Sequence, residues 1–193
     1  EAQLGLTGRL DEAGPGLRLQ AQAQQRVSTG VAPSLQADVA VRGGDTPGIE
    51  QADVRLKDFN LAALWAAAPH TALSGQVQAK PQGQGWAVQG DLRNAEPAPA
   101  DRGGLPIKRV QARLQQDGER WRLSEVQVDT AGGQVRGQAQ VRVHPSDAGW
   151  QFSDWQGDVQ WRQVQLQQWW AAASPMTLDG EADARLLSAP EAS

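Results

Sequence analysis

The chain has 193 residues, no cysteine and a net charge of −4. That length can bury a sizeable core without disulfides, and the absence of thiols excludes cysteine nucleophiles, redox pairs and thiolate metal sites. The acidic balance gives no general attraction to nucleic acid or to an anionic membrane surface. Eight Trp and two Phe stand beside no Tyr, and Gly numbers 21. No stretch approaches the roughly 20 apolar residues of a membrane-spanning helix. No basic segment followed by an apolar run opens the chain, so no signal peptide is expected. The strand-like start, Glu1 to Leu10, suggests a segment cut from within a longer protein.

In chain order, most of the sequence alternates with period two, the mark of strands with one apolar face. Leu17, Leu19, Ala21 and Ala23 share a face opposite Arg18, Gln20, Gln22 and Gln24. Leu35, Ala37, Val39 and Val41 repeat the pattern, as do Leu73, Gly75, Val77 and Ala79, and then Trp86, Val88, Gly90 and Leu92. Val110, Ala112 and Leu114 follow, then Trp121 and Leu123. The phase slips at Ser124 and Glu125 before Val126 and Val128, as a β-bulge requires. Val135, Gly137, Ala139, Val141 and Val143 form a long regular run, followed by Trp150 and Phe152. After a further phase change come Trp155, Gly157, Val159 and Trp161. Turn signals at Gly14-Pro15-Gly16, Gly43-Gly44-Asp45, Asp117-Gly118, Gly132-Gly133 and His144-Pro145 separate the runs. About a dozen strands with short connections predict an antiparallel meander.

Two stretches change period. Phe59 to Ala68 sets Leu61, Leu64, Trp65 and Ala68 at helical spacing before Pro69, and Val164 to Ala173 does so with Leu166, Trp169, Trp170 and Ala173 before Pro175. Each predicts a short amphipathic helix of two or three turns. Both belong to an internal repeat, since residues 52–81 slide onto 157–186 without a gap. Asp53, Val54, Leu61, Trp65, Leu73, Gly75 and Ala79 match Asp158, Val159, Leu166, Trp170, Leu178, Gly180 and Ala184. A third Leu-x-Gly stands at Leu6-Thr7-Gly8. A repeating unit that cannot bury its faces alone predicts one elongated stack over residues 1–193. Asn94 to Pro106 is the longest irregular stretch, a loop that the repeat runs across.

Catalytic and metal signatures are missing from the sequence. His70 and His144 each adjoin a proline at an expected turn, with no second ligand at metal spacing. No nucleophile elbow, phosphate loop or dinucleotide fingerprint occurs. A carboxylate pair across strands, Asp154 or Asp158 with Glu125, is the one weak glycosidase-like arrangement. Lys108, Arg109 and Arg113, with Arg120 and Arg122 across a hairpin, form a small basic patch that reads as a solvated face. No enzyme activity, metal or cofactor is expected. Alternation alone suits a closed β-sandwich with a packed interior as well as an open sheet.

The stretch from Trp86 to Gln140 resembles the TamB family of AsmA-like envelope proteins. The features are a strand ending Arg93-Asn94-Ala95, a Pro-rich turn into Asp101-Arg102-Gly103-Gly104-Leu105-Pro106, a strand, a Trp-bearing strand at Arg120 to Leu123, and a Gly-rich turn opening a strand with Gly137. The stretch DFNLAALWAAAPHTALSGQVQA, with its second copy near the end of the chain, also resembles that family's repeating unit. The likeness covers most of residues 50–186. It implies a periplasmic segment of an inner-membrane-anchored protein, folded as a β-taco: an elongated, curled antiparallel sheet forming an open apolar groove. It further implies a role in phospholipid transport from inner to outer membrane and in outer-membrane biogenesis. The full-length protein would pair with an outer-membrane barrel of the TamA type, not necessarily through this segment. On that reading phospholipid acyl chains are the ligand. The apolar face with Leu73, Val77, Trp86, Val88, Leu92, Val110, Leu114, Trp121, Leu123, Val135 and Val141 lines the groove. Small residues such as Ala79, Gly90 and Ala112 leave it unfilled. The alternatives are a scaffold for outer-membrane protein (autotransporter) assembly by β-augmentation and, more remotely, a carbohydrate-binding or hydrolytic sandwich. Unpaired edges also predict edge-to-edge self-association.

Overall fold

The computed structural model describes residues 2–10, 16–25, 32–42, 48–63, 65, 67–146 and 149–186, with backbone only at 2–10, 16, 24–25, 145–146 and 149–150. Eleven strands follow one another: β1 (Ala2–Leu10), β2 (Gly16–Gln25), β3 (Ser34–Arg42), β4 (Gly48–Phe59), β5 (Leu73–Gln82), β6 (Gly85–Asn94), β7 (Ile107–Asp117), β8 (Arg120–Thr130), β9 (Gly133–Ser146), β10 (Gly149–Gln165) and β11 (Thr177–Leu186). Each pairs antiparallel with its sequence neighbour, giving one sheet in the order β1 to β11. The sheet is curled and not closed. Short hairpins, such as Gly83-Gln84 and Gly118-Glu119, turn the chain at one rim. The longer connections that follow β6 and β10, at 95–106 and 166–176, emerge at the other. The predicted turns Gly14-Pro15 and Gly43-Gly44-Asp45 lie outside the described residues.

The alternation explains the sheet, and bulges explain its bending. Among the described residues four non-glycines have positive φ: Asp58 (49°), Glu125 (52°), Asp154 (47°) and Gln163 (52°). Each sits at a register shift, at Leu56/Phe59, Leu123/Val126, Ser153/Gln156 and Trp161/Val164. A bulge adds one residue to one strand, bends it and increases its twist. The middle two are the phase slips legible at Ser124-Glu125 and before Trp155. The outer two are 105 residues apart, the offset of the sequence repeat. They also share a hydrogen bond: the Asp58 N–H donates to Ser74 Oγ at 2.8 Å, and the Gln163 N–H to Asp179 Oδ1 at 2.9 Å.

Of the two predicted helices of two or three turns, the second is present as a shorter helix, and the described residues of the first show only a 3₁₀ turn. Leu61–Ala63 is a single 3₁₀ turn, and α1 (Leu166–Trp169) is one α-turn of four residues; Leu64 and Ala66 lie outside the described residues. Strand pairing wins the first part of each stretch: β4 runs to Phe59 and β10 to Gln165, where the Gln165 N–H reaches Gly132 O at 2.7 Å. What remains before Pro69 and Pro175 is too short to offset the cost of nucleating a longer helix. It is tied down instead by tertiary bonds, including Leu61 N–H to Thr71 Oγ1 at 3.0 Å and Leu166 N–H to Met176 O at 3.0 Å.

Burial is concentrated along the long-loop rim. Phe59, Leu73 and Val164 are 4%, 8% and 7% exposed, and Ala68 in the β4–β5 connection is also buried. The buried polar residues Thr71, Asn94 and Thr130 are satisfied, whereas the Trp169 Nε1 atom is buried with no hydrogen-bond partner. Asn94 Oδ1 accepts from the N–H groups of Ala72 and Glu96, and its Nδ2 donates to Leu105 O at 3.2 Å. Thr71 Oγ1 donates to Phe59 O, and Thr130 Oγ1 to Gly133 O. Asn94 thus closes both ends of the irregular loop from Asn94 to Pro106. Elsewhere the described residues form a sheet one layer thick. Among the described residues no side chain is completely buried, and the substantial strand contacts are between sequence neighbours.

Candidate functional site

Cross-strand register sorts the apolar residues into rows, because directly paired residues project from the same face of a sheet. One row passes through all eleven strands: Leu4, Ala23, Leu35, Leu56, Gly75, Leu92, Val110, Val128, Val135, Trp161 and Gly180. A second does the same: Gly8, Leu19, Val39, Ala52, Ala79, Val88, Leu114, Leu123, Ala139, Gly157 and Ala184. At about 4.8 Å per step, ten steps make each row roughly 48 Å long. Between them Ala21, Ala37, Val54, Val77, Gly90 and Ala112 form a third, which stops at the bulge between β7 and β8.

The structure brings all eleven predicted groove residues to this one face. Leu92, Val110 and Val135 lie in the first row, Val88, Leu114 and Leu123 in the second, and Val77 in the third. Trp86, Trp121 and Val141 lie in a partial row nearer the short hairpins, interrupted by Gln116. The Gln116 amide is turned onto its own hairpin, donating to Gly118 O at 3.0 Å. Leu73 differs from the rest: it is buried under the long-loop rim, while the others are half-buried. Ala52, Val54 and Leu56 of β4 belong to the face but were not among the expected lining residues. Their period-two signal is present in the sequence, cut short by Lys57-Asp58. Phe152 and Trp155, flanking the Asp154 bulge, are exposed; the side chain of Trp150 lies outside the described residues.

The opposite face is polar and internally paired. Arg109 donates to both Asp91 oxygens, through Nε at 2.8 Å, and Gln111 adds a third bond. The Arg109 hydrogen bonds, more than any other cause, hold the Asp91 carboxyl below the usual carboxylate range. Gln89 donates to Gln78 at 2.7 Å, and Gln138 to Asp158 at 2.8 Å. Within the expected basic patch Arg109 pairs with Asp91, and Arg113 with Glu125 at 2.6 Å. The proposed carboxylates do not act as a pair: Glu125 faces Arg113, Asp154 faces Arg142 at 2.9 Å, and Asp158 accepts from Gln138. Depressions of about 320 and 430 Å³ lie among these polar side chains.

His144 is a correction. It was expected at a turn but lies within β9, opposite Gln151, because the strand continues through Pro145 to Ser146. Its Nδ1 is 3.0 Å from Glu119 Oε2 and its Nε2 is 2.9 Å from Ser153 Oγ. That order matches a nucleophile, base and orienting carboxylate. The chain of three is half-exposed on the polar face. It ties the β7–β8 turn to β10. His70 is exposed in the β4–β5 loop, bridged to Gly104. Among the described residues no cluster of three His, Asp or Glu side chains could hold a metal, and no helix is long and apolar enough to cross a membrane.

Fold and surface together define a class: a single open antiparallel β-sheet, apolar along one face and hydrogen-bonded along the other. Comparison with known proteins finds no matching family model, no similar curated protein and no similar solved structure.

Proposed function

We propose that this chain is a non-catalytic lipid-conduit segment, whose curl turns the apolar face inward as a groove for phospholipid acyl chains. In this reading it serves phospholipid transport between the membranes of a Gram-negative envelope, from the periplasm, as the TamB resemblance implies. The observation that carries the proposal is the pair of apolar rows crossing all eleven strands with no second layer over them among the described residues. An acyl chain needs a continuous apolar surface and no directed chemistry. Each methylene taken from water contributes about 0.8 kcal/mol. A sandwich core would bury the same residues against an opposing sheet, and the half-exposure of Val88, Leu114 and Leu123 argues against one.

Native mass spectrometry of the purified chain with bound phospholipid tests the proposal. Val88→Asp and Val141→Arg place a charge on the apolar face and should reduce lipid loading by at least about 100-fold, since covering an unpaired charge costs several kcal/mol. Gln89→Asp changes the polar face and should load normally. Equal loading by all three folded variants would sink the assignment. A second reading, pairing with client strands in outer-membrane protein assembly, is favoured by the edges β1 and β11, each of which has one neighbour in the sheet.

A further inference from the structure

The geometry points to Asp101 as a strap that fastens the β6–β7 loop to the β10–β11 loop across the short β8–β9 turn, so that the long-loop rim moves as one unit. Asp101 Oδ1 accepts the Ala171 N–H at 2.9 Å and Oδ2 the Ala172 N–H at 3.0 Å. These bonds join segments 70 residues apart. In the sheet the two loops are separated by four inter-strand steps, about 19 Å at the usual strand spacing. Between them the β8–β9 connection is only Ala131-Gly132. The loops therefore lean toward one another over a stretch of rim that has almost no loop of its own.

Both ends of the strap are built. Asp101 stands on the 3₁₀ turn Ala100–Arg102, closed by Gly103 in the left-handed region (φ 73°). The Gly104 N–H returns to Pro99 O at 3.1 Å, which holds the turn's shape. The His70 N–H donates to Gly103 O at 2.8 Å, extending the chain of bonds to the β4–β5 loop. At the other end α1 presents the Ala171 and Ala172 amides at its C-terminal side, after the Trp170 N–H has bonded Leu166 O at 2.9 Å. The β8–β9 turn is pinned on both flanks, by Ala131 N–H to Pro106 O and Gln165 N–H to Gly132 O. Four of the long-rim connections are thus linked in series, and the Asp101 carboxylate is the longest link. The side chains near it are the Arg102 guanidinium on its own turn and the imidazole of His70, whose ring lies against Gly103. Residues 166–176 carry no titratable side chain. The two backbone bonds hold the Asp101 carboxyl below its ordinary value. Acid therefore releases the strap as pH falls through that lowered value.

The test uses spin labels on the full chain at Glu96→Cys and Ser174→Cys, in the two loops and outside the strap, together with amide exchange at Ala171 and Ala172. In Asp101→Ala the inter-label distance distribution should broaden. Exchange at both amides should accelerate by about tenfold or more, the scale of losing a charge-assisted bond, while the β10–β11 ladder keeps its protection. Asp101→Asn retains one acceptor and should leave one of the two amides protected, which keeps the test decisive if the alanine variant folds poorly. Lowering the pH should broaden the wild-type distribution and leave that of Asp101→Asn unchanged. An unchanged distribution with unchanged exchange in either folded variant overturns the strap.

Discussion

Gly75 and Gly180 occupy equivalent positions in the two repeat copies, yet the structure predicts unequal costs for replacing them with alanine. At Gly75 a Cβ would stand 2.1 Å from the backbone carbonyl oxygen of Asp91 and 3.0 Å from Leu92 Cα, and φ is +142°. The obstacle is the neighbouring strand itself, which cannot swing aside. Positive-φ strain of roughly 1–3 kcal/mol adds to overpacking of roughly 1–3 kcal/mol, so Gly75→Ala should cost about 2–6 kcal/mol. At Gly180 the nearest atoms belong to the Trp161 indole, at 2.6 and 2.8 Å. That ring is a half-exposed side chain next to an edge strand, and it can tilt away for about 1 kcal/mol, the low end of overpacking. Urea unfolding followed by far-UV circular dichroism should therefore show a large drop in midpoint for Gly75→Ala and a small one for Gly180→Ala. If the two drop equally, or Gly180→Ala drops further, the backbone-against-side-chain argument fails.

Two further outcomes follow from burial and charge. Leu73→Ala, under the rim, should lower stability by about 2–3 kcal/mol, and Val77→Ala, half-buried on the open face, by about 1 kcal/mol or less; thermal melts of the pair check the contrast. Asp91 has its carboxyl pKa lowered from 3.8, chiefly by the Arg109 hydrogen bonds. Its contribution is thus complete above the unfolded value and is lost as pH falls through the lower folded one. Unfolding midpoints should fall more steeply in acid for the wild type than for Asp91→Asn, and parallel curves would remove Asp91 from the account.

Much of the sheet was legible because a strand writes its faces into the sequence at period two. The bulges at Glu125 and Asp154 were legible for the same reason, as breaks in that period. The bulges at Asp58 and Gln163 were not, since the shifted phase runs straight into Leu61, Trp65, Leu166 and Trp169, whose spacing is helical. His144 misled because a following proline usually marks a turn, yet here the proline lies near a strand end. The partners of Asp101 carry no sequence signal at all, being backbone amides of two alanines 70 and 71 residues away. The resemblance to the TamB family named a groove, but the architecture defined by pairing is an open curled sheet. Whether lipid occupies its apolar side is what the Val88 and Val141 variants decide.

The continuity of the two long apolar rows has a consequence for anything hydrocarbon that rests along them. Each displacement by one strand returns such a guest to nearly the same surroundings, so the surface offers a shallow corrugation in place of a single deep well. The ripple is set by local differences such as Gly75 between Leu56 and Leu92, a dip of a few methylenes at about 0.8 kcal/mol each. A hydrocarbon guest on such a surface would be held along its whole length and would meet, at each strand step, a ripple of roughly 2 kcal/mol.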